Sequence, residues 1–424
     1  MLSRILLQCR SETREEEDHV DISFGPEYDE FRDQVRAFLD ANWGESPDLA
    51  EGEDLSLTPQ FKEFSAKAIE AGYYCAFLPK KYGGAEQPFD PIRQLIIGQQ
   101  FRSAGLPPRP PGLGPNLLVP TLLNHGQEWQ KEQFIPPAMS GEHVWCQGFS
   151  EPNAGSDLAS LRTRAVLEGD EWVINGQKIW TSLAEEATHM FCLCRTDPDA
   201  AKHAGISYLM FEIDQPGVQV KPLKQITGAS EFNEVFFTDA RAPRDWIVGE
   251  PGGGWAVAKT TLLYERASSG GGEGMLPLLV GELVGMARQT ERGGRPAIED
   301  PEIRRRLARI EAWVIGQEYS EYRLLERLGR GKEPGIFFLA AKLIGTDILH
   351  EMAKFRQELA GDDALVEPLP FPFGSPPQAP GEWNTLYIGT LGFAIAAGTS
   401  NIQRNVIAER GLGLPRDLAR QVAK

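Results

Sequence analysis

The chain is short of the residues that staple or ligate. Five cysteines and six histidines occur in 424 residues. Cys9, Cys75, Cys146, Cys192 and Cys194 are odd in number and lack the spacing of a zinc site. They read as reduced, buried thiols of a cytoplasmic-type protein, and no metal site is expected. Positive charge is scarce too. Lysine and arginine total 43 against 60 aspartates and glutamates, a net charge of −17. A general nucleic-acid binder needs clustered cations to meet phosphates, so that class is set aside. No apolar run approaches the roughly 18 residues of a membrane helix, so no membrane span is expected. The opening "MLSRILLQCRSETREEEDHVD" has too brief an apolar run for a signal-peptide core. Its acidic stretch from Glu15 to Asp18 opposes a mitochondrial presequence. Residues 1–22 read as a disordered extension or the product of an upstream start codon.

What is present is organised in three blocks, and the length suits two or three domains. Residues 23–142 carry helical texture. Phe31, Val35, Phe38 and Leu39 mark one face of an amphipathic helix. "PKKYGG" reads as a turn and "GLPPRPPGLGP" as a loop. Residues 143–252 change character. "EWVINGQKIWTS", "ATHMFCLCRT", "GISYLMFEID", "GVQVKPLKQI" and "NEVFFTDARAP" are short β-rich runs. Asn175-Gly176 fits a two-residue hairpin turn, and an antiparallel sheet or small barrel is expected. Residues 253–424 return to long amphipathic segments such as "DPEIRRRLARIEAWVIGQEYSEYRLLERL", interrupted by a proline-rich loop. They suit a helical bundle. "GEPGGGW" lacks the Lys-Ser/Thr of a phosphate loop and reads as a linker before a helix. The fold class is therefore α+β: an N-terminal helical domain, a central β domain and a C-terminal four-helix bundle.

Five motifs in this order resemble the acyl-CoA dehydrogenase family over residues 23 to 417. They are "CQGFSEPNAGSDLASLRTRA", "INGQKIWTS", "NEVFFTDARAP", "VGEPGGGWAVA" and "GTSNIQRNVIAERGLGLPR". Singly, each has a plain reading: Trp180 as a core aromatic, Ser150 and Ser182 as solvated turn residues, Thr399 as a helix cap. Jointly, they resemble a flavin site. The resemblance implies FAD contacts at Gln147, Phe149, Ser150, Trp180, Ser182, Thr399 and Asn401. It implies that Gln357 in "RQELAG" stands where a partner subunit meets the ADP half. The family's Arg, spacer and Phe-Gly element is reduced here to Arg292 within "ARQTERGGRPAIEDPE", without the Phe-Gly. The Gly-Gly-x-Gly run after Gln357 is replaced by "ELAGDDAL". Ser156 in "AGSD" is implied at the CoA thioester arm.

Many family members place a catalytic glutamate just before the C-terminal Gly-Thr. Here that position is Ala397. The base must take a thioester α-proton, which demands a desolvated carboxylate of raised pKa. The backbone N–H at Ala397 can still donate to the thioester carbonyl, because that role needs no side chain. The replacement carboxylate is expected at Glu265 in "TTLLYERAS", flanked by Thr261, Leu262 and Tyr264 and followed by Arg266, a candidate substrate contact. As in family members with the base on this earlier helix, a bulky or branched acyl group is implied. "SSGGGEGM" just beyond Glu265 removes side-chain bulk in keeping with that. The implied activity is α,β-dehydrogenation of an acyl-CoA to a trans-2-enoyl-CoA, with electrons passed to an electron-transfer flavoprotein. The implied assembly is a homo-dimer or tetramer, or a heterotetramer with a related subunit. A non-catalytic partner subunit and an acyl-CoA oxidase-like flavoenzyme stay open as alternatives.

Overall fold

The computed structural model describes residues 25–44, 47, 55, 58–268, 275–370 and 377–415. The extension expected over residues 1–22, Cys9 and the glycines of "SSGGGEGM" lie outside them. Among the described residues, five α-helices come first: α1 (Pro26–Asn42), α2 (Pro59–Glu70), α3 (Pro91–Ser103), α4 (Val119–His125) and α5 (Glu128–Ser140). The first three start on proline, whose missing N–H costs nothing in a first turn. Thr58 caps α2 by accepting from the Phe61 N–H at 3.2 Å. Asp90 caps α3 by accepting from the Ile92 N–H at 2.9 Å and the Arg93 N–H at 3.1 Å. The apolar face anticipated on α1 buries Phe31, Val35 and Leu39 against Phe61, Phe64, Tyr74 and Phe101, with Phe38 partly covered.

The central part is an open eight-stranded sheet. Its strands are β1 (Trp145–Gly148), β2 (Arg164–Glu168), β3 (Glu171–Ser182), β4 (His189–Arg195), β5 (Ile206–Glu212), β6 (Val218–Leu223), β7 (Phe232–Pro243) and β8 (Ile247–Val248). The path runs β6-β7-β3-β2-β4-β5-β8, so it has two free ends and closes no barrel. It is mixed rather than purely antiparallel, because β1 and β2 both run parallel to β4. The reason is a single strand line with an excursion in it. β1 pairs with β4 from Trp145↔His189 to Gly148↔Cys192, the chain then leaves the line, and it rejoins at Arg164↔Arg195. Asn175-Gly176 is not a hairpin turn, a correction to the sequence reading. It lies inside β3 at a register shift against β7, where the Asn175 and Asp239 side chains and backbone bond to one another. A Cβ on Gly176 would fall 2.6 Å from Thr163 Oγ1, so glycine is set there by close approach. The hairpin turns instead at Gly169-Asp170, between β2 and β3, with Gly169 at φ +64.

Among the described residues, six α-helices follow: α6 (Gly254–Ser268), α7 (Met275–Gln289), α8 (Pro301–Gly329), α9 (Ile336–Ala360), α10 (Pro380–Phe393) and α11 (Ser400–Val406). Helices α7 to α10 form the bundle around Leu279, Leu283, Ile310, Met352, Phe355 and Trp383. Helix α6 belongs instead to the sheet side. Its Val257 and Ala258 pack in one cluster with Phe191, Tyr208 and Met210 of the sheet and Leu117 and Leu122 of the N-terminal part. Thr261 of α6 is buried and meets Thr121 of α4 at 2.9 Å. No described helix is long and apolar enough to cross a membrane.

Candidate active site

One strand of the sheet and one helix meet at Glu265. Helix α6 begins pressed on β5, since a Cβ at Gly254 would lie 2.5 Å from the Ser207 carbonyl carbon. That seat, with the Thr121–Thr261 contact, fixes which face of α6 looks at β1. Gln147, the half-buried residue of β1, donates from Nε2 to Glu265 Oε2 at 3.2 Å. Burial pushes the Glu265 carboxyl above its usual range, opposed by the Gln147 hydrogen bond and then by the charge of Arg266. Burial likewise holds the Arg266 guanidinium down; Glu265 opposes that and Arg410 adds to it. A carboxylate that is desolvated yet still hydrogen-bonded can accept a proton from a weak carbon acid.

The excursion between β1 and β2 carries Phe149, Ser150 and Ser156. Phe149 is buried, Ser150 half-buried and Ser156 exposed. The segment is nailed to β3 at two points. Ile179 N–H donates to the Ser150 carbonyl at 3.0 Å. Lys178, fully buried, donates from Nζ to the Phe149 carbonyl at 3.1 Å and to Glu151 Oε1 at 2.9 Å. Glu151 also accepts from the backbone N–H groups of Arg162 at 2.6 Å and Thr163 at 2.8 Å. Neither member of this ion pair was singled out in the sequence, although both stand inside the quoted motifs. Two residues beyond Lys178, the register with β7 shifts and Trp180 takes a left-handed φ of +61. Its indole is 58% exposed and meets Phe232 edge-on at 6.0 Å. Ser182 closes the strand, half-buried.

The C-terminal turn is also left-handed, with Ala397 at φ +49 and Gly398 at φ +88. Thr399 caps α11 by accepting from the Ile402 N–H at 3.2 Å, and Asn401 is exposed. Helix α9 packs on both α6 and α11, so Glu265 and this turn are set from one neighbour. Arg292 and Gln357 come together elsewhere, at the far end of α9. Arg292 is exposed and donates to the Glu358 carbonyl at 3.2 Å. The Gln357 amide is engaged within the chain, with Asn384 Oδ1 at 2.7 Å and Arg356 Nη1 at 3.0 Å.

Comparison with known proteins decides the family. The acyl-CoA dehydrogenase N-terminal domain matches residues 25–142, the middle domain residues 146–240 and the C-terminal domain residues 252–412. The acyl-CoA dehydrogenase IpdE1 of Mycobacterium tuberculosis is 38% identical over 395 residues, covering 92% of this chain and 98% of that protein. The chain belongs to the acyl-CoA dehydrogenase family. It is thus an oxidoreductase acting on acyl-CoA, in a family that works with FAD. Among solved structures, the Tcur3481-Tcur3483 steroid ACAD is 29% identical with a TM-score of 0.75, covering 94% of this chain and all of that one. The ChsE4-ChsE5 complex from Mycobacterium tuberculosis gives the same identity, coverage and score. The residues present fit a planar cofactor. An indole 58% exposed on a strained backbone offers a flat apolar face for a ring to cover.

Proposed function

We propose that this acyl-CoA dehydrogenase removes hydrogen from Cα and Cβ of a bulky or branched acyl-CoA, with Glu265 as the base. The observation that carries this is the Glu265–Gln147 pair, a half-buried residue whose desolvated carboxyl is raised in pKa and faces the strand that leads into the excursion. Glu265 takes the α-proton on its carboxylate. The Ala397 backbone N–H donates to the thioester carbonyl as negative charge develops there, Ser156 binds the thioester arm and Arg266 contacts the substrate. Gln147, Phe149, Ser150, Trp180, Ser182, Thr399 and Asn401 hold FAD, with Arg292 and Gln357 at the ADP end. Bound FAD supplies the acceptor for the β-hydride, and an electron-transfer flavoprotein is the proposed outlet for the electrons. The bulky acyl group is supported by the steroid ACAD likeness and by base placement on α6. An oligomer, including one with a related second subunit, is supported by likeness to two-chain complexes.

Glu265→Gln tests the assignment. The amide cannot accept the α-proton, so the variant is expected to keep its flavin and lose most acyl-CoA turnover, by about 10²–10⁴-fold. Adding Ala397→Glu is expected to restore a measurable part, more for straight chains than for bulky ones, because the new side chain takes up acyl space. Stopped-flow bleaching of the flavin reads both. Wild-type bleaching in the single variant would remove Glu265 from the role, whereas a wild-type chain whose flavin acyl-CoA fails to bleach would favour the rival reading, a non-catalytic partner subunit.

A further inference from the structure

The turn from Ala397 to Thr399 is held from behind by two side chains that the proposal above does not use. Gln403 donates from Nε2 to the Ala397 carbonyl at 2.9 Å and reaches the Gly398 carbonyl at 3.4 Å. Lys342 of α9 donates from Nζ to the Gly398 carbonyl at 3.0 Å. Lys342 is 3% exposed, in the apolar stretch "FFLAAKLIG". Burying an ammonium costs several kcal/mol unless its surroundings compensate. A neutral amide could tether one carbonyl as well, so the positive charge calls for a separate reason.

Peptide planarity supplies it. In a trans peptide the N–H points opposite the C=O. The carbonyls of Ala397 and Gly398 both turn toward Gln403 and Lys342, so the N–H groups of Gly398 and Thr399 turn the other way. A cation on the Gly398 carbonyl polarises that peptide and makes the Thr399 N–H a stronger donor. The same contact opposes relaxation of Ala397, whose left-handed backbone costs about 1–2 kcal/mol for an L-residue. Burial lowers the Lys342 pKa, and Asp347 opposes that shift.

We propose that Lys342 is a positioning residue of this active site: through the Gly398 carbonyl it holds the Ala397–Thr399 turn in its left-handed form and sets a buried positive charge behind the turn's N–H groups. This rests on the reading of the Ala397 N–H as the site's backbone donor; that N–H belongs to the peptide before the two that Gln403 and Lys342 hold, so Lys342 acts on it through the conformation of the turn and the nearness of its charge. As negative charge grows on the thioester oxygen, a fixed cation on this turn needs no reorganisation to stabilise it.

Three variants of the full-length, FAD-loaded protein separate tether from charge: Lys342→Met has neither, Lys342→Gln keeps a donor, Lys342→Arg keeps both. Two readouts apply. The first is amide hydrogen exchange in a peptide spanning Ala397 to Thr399. The second is flavin bleaching by 3-cyclohexylpropanoyl-CoA and by octanoyl-CoA. Lys342→Met is expected to exchange about tenfold faster at this turn. Its limiting bleaching rate is expected to fall about 10²-fold with half-saturation little changed. Lys342→Gln is expected to exchange slowly yet bleach slowly, and Lys342→Arg to recover both. Wild-type exchange in Lys342→Met overturns the tether, and wild-type bleaching in Lys342→Gln overturns the charge. If Lys342→Met fails to fold, Lys342→Gln against Lys342→Arg decides. If neither acyl-CoA bleaches the wild type, exchange decides alone. The readouts also keep the two proposals apart. Fast bleaching in Glu265→Gln sinks the base but leaves the exchange result standing, whereas slow exchange in Lys342→Met sinks this proposal and leaves Glu265 in place.

Discussion

At the scale of single residues, the environment of Glu265 makes a prediction in two directions of pH. Burial raises its carboxyl pKa in the folded chain. A base must be ionised to act, so the rate of flavin bleaching should climb with pH through a limb lying above the usual carboxylate range. Stability runs the other way. A carboxyl whose folded pKa is raised favours the fold fully below its unfolded pKa, and that contribution is lost as pH rises through the folded value. Glu265→Gln, which never ionises, should therefore melt higher than wild type at pH 8, with the gap closing by about pH 4. Thermal melts at several pH values check this; a gap that ignores pH would mean the carboxyl is not desolvated. How much of this was legible follows from what each residue depends on. Glu265 could be nominated because "TTLLYERAS" resembles family members that carry the base on this helix and because Ala397 has no carboxylate; taken alone, a Glu-Arg pair in a helix reads as a surface ion pair. Its partnership with Gln147 could not, because it spans a strand and a helix 118 residues apart. Lys342 and Gln403 were passed over because they touch backbone carbonyls, and sequence carries no sign of which carbonyl a side chain will find.

At the scale of elements, periodicity revealed the helices and missed the register of the sheet. The apolar spacing on α1 and the proline starts are local signals, and local packing obeys them. Asn175-Gly176 misled because the same dipeptide that favours a tight turn also suits a bulge inside a long strand. The split strand line of β1 and β2 left no trace in composition, since only pairing with β4 defines it. The excursion between them depends on the ion pair of Lys178 and Glu151, 0% and 9% exposed at the side chain. Burial alone would raise the Glu151 pKa, but Lys178 and the Thr163 contacts outweigh it and hold it below the usual range. Removing one partner strands the other. Lys178→Met should thus cost about 3–5 kcal/mol in chemical denaturation. Adding Glu151→Gln should return part of this, because the orphaned charge is gone while the amide oxygen still accepts from one of the two backbone N–H groups, Arg162 or Thr163. A double variant no more stable than Lys178→Met would show that the pair is not what secures Phe149 and Ser150.

At the scale of the whole molecule, the C-terminal helices leave a great deal of apolar surface uncovered. Tyr319 on α8, Leu391 at the end of α10 and Ile395 just beyond it are 62%, 53% and 68% exposed, and Leu412 and Leu414 follow at 61% and 52%. Single exposed apolar residues are ordinary, but several on the helices of one bundle leave apolar surface that another chain can cover. Ile395 is the informative one. It lies two residues before Ala397, so whatever covers it also presses on the left-handed turn that Lys342 and Gln403 hold. Assembly and cofactor retention should therefore fail together. Ile395→Asp places a charge where apolar cover is needed, without touching the cores around Phe355 or Phe191. The variant is expected to stay folded by circular dichroism, to fall to monomer mass by light scattering, and to lose flavin on gel filtration. Wild-type chain expressed alone should be larger than a monomer; if it gains flavin only when a related subunit is co-expressed, the assembly is heteromeric. A monomeric wild type that holds FAD and turns over acyl-CoA would sink the idea. An Ile395→Asp oligomer with full flavin would place the interface elsewhere on the bundle.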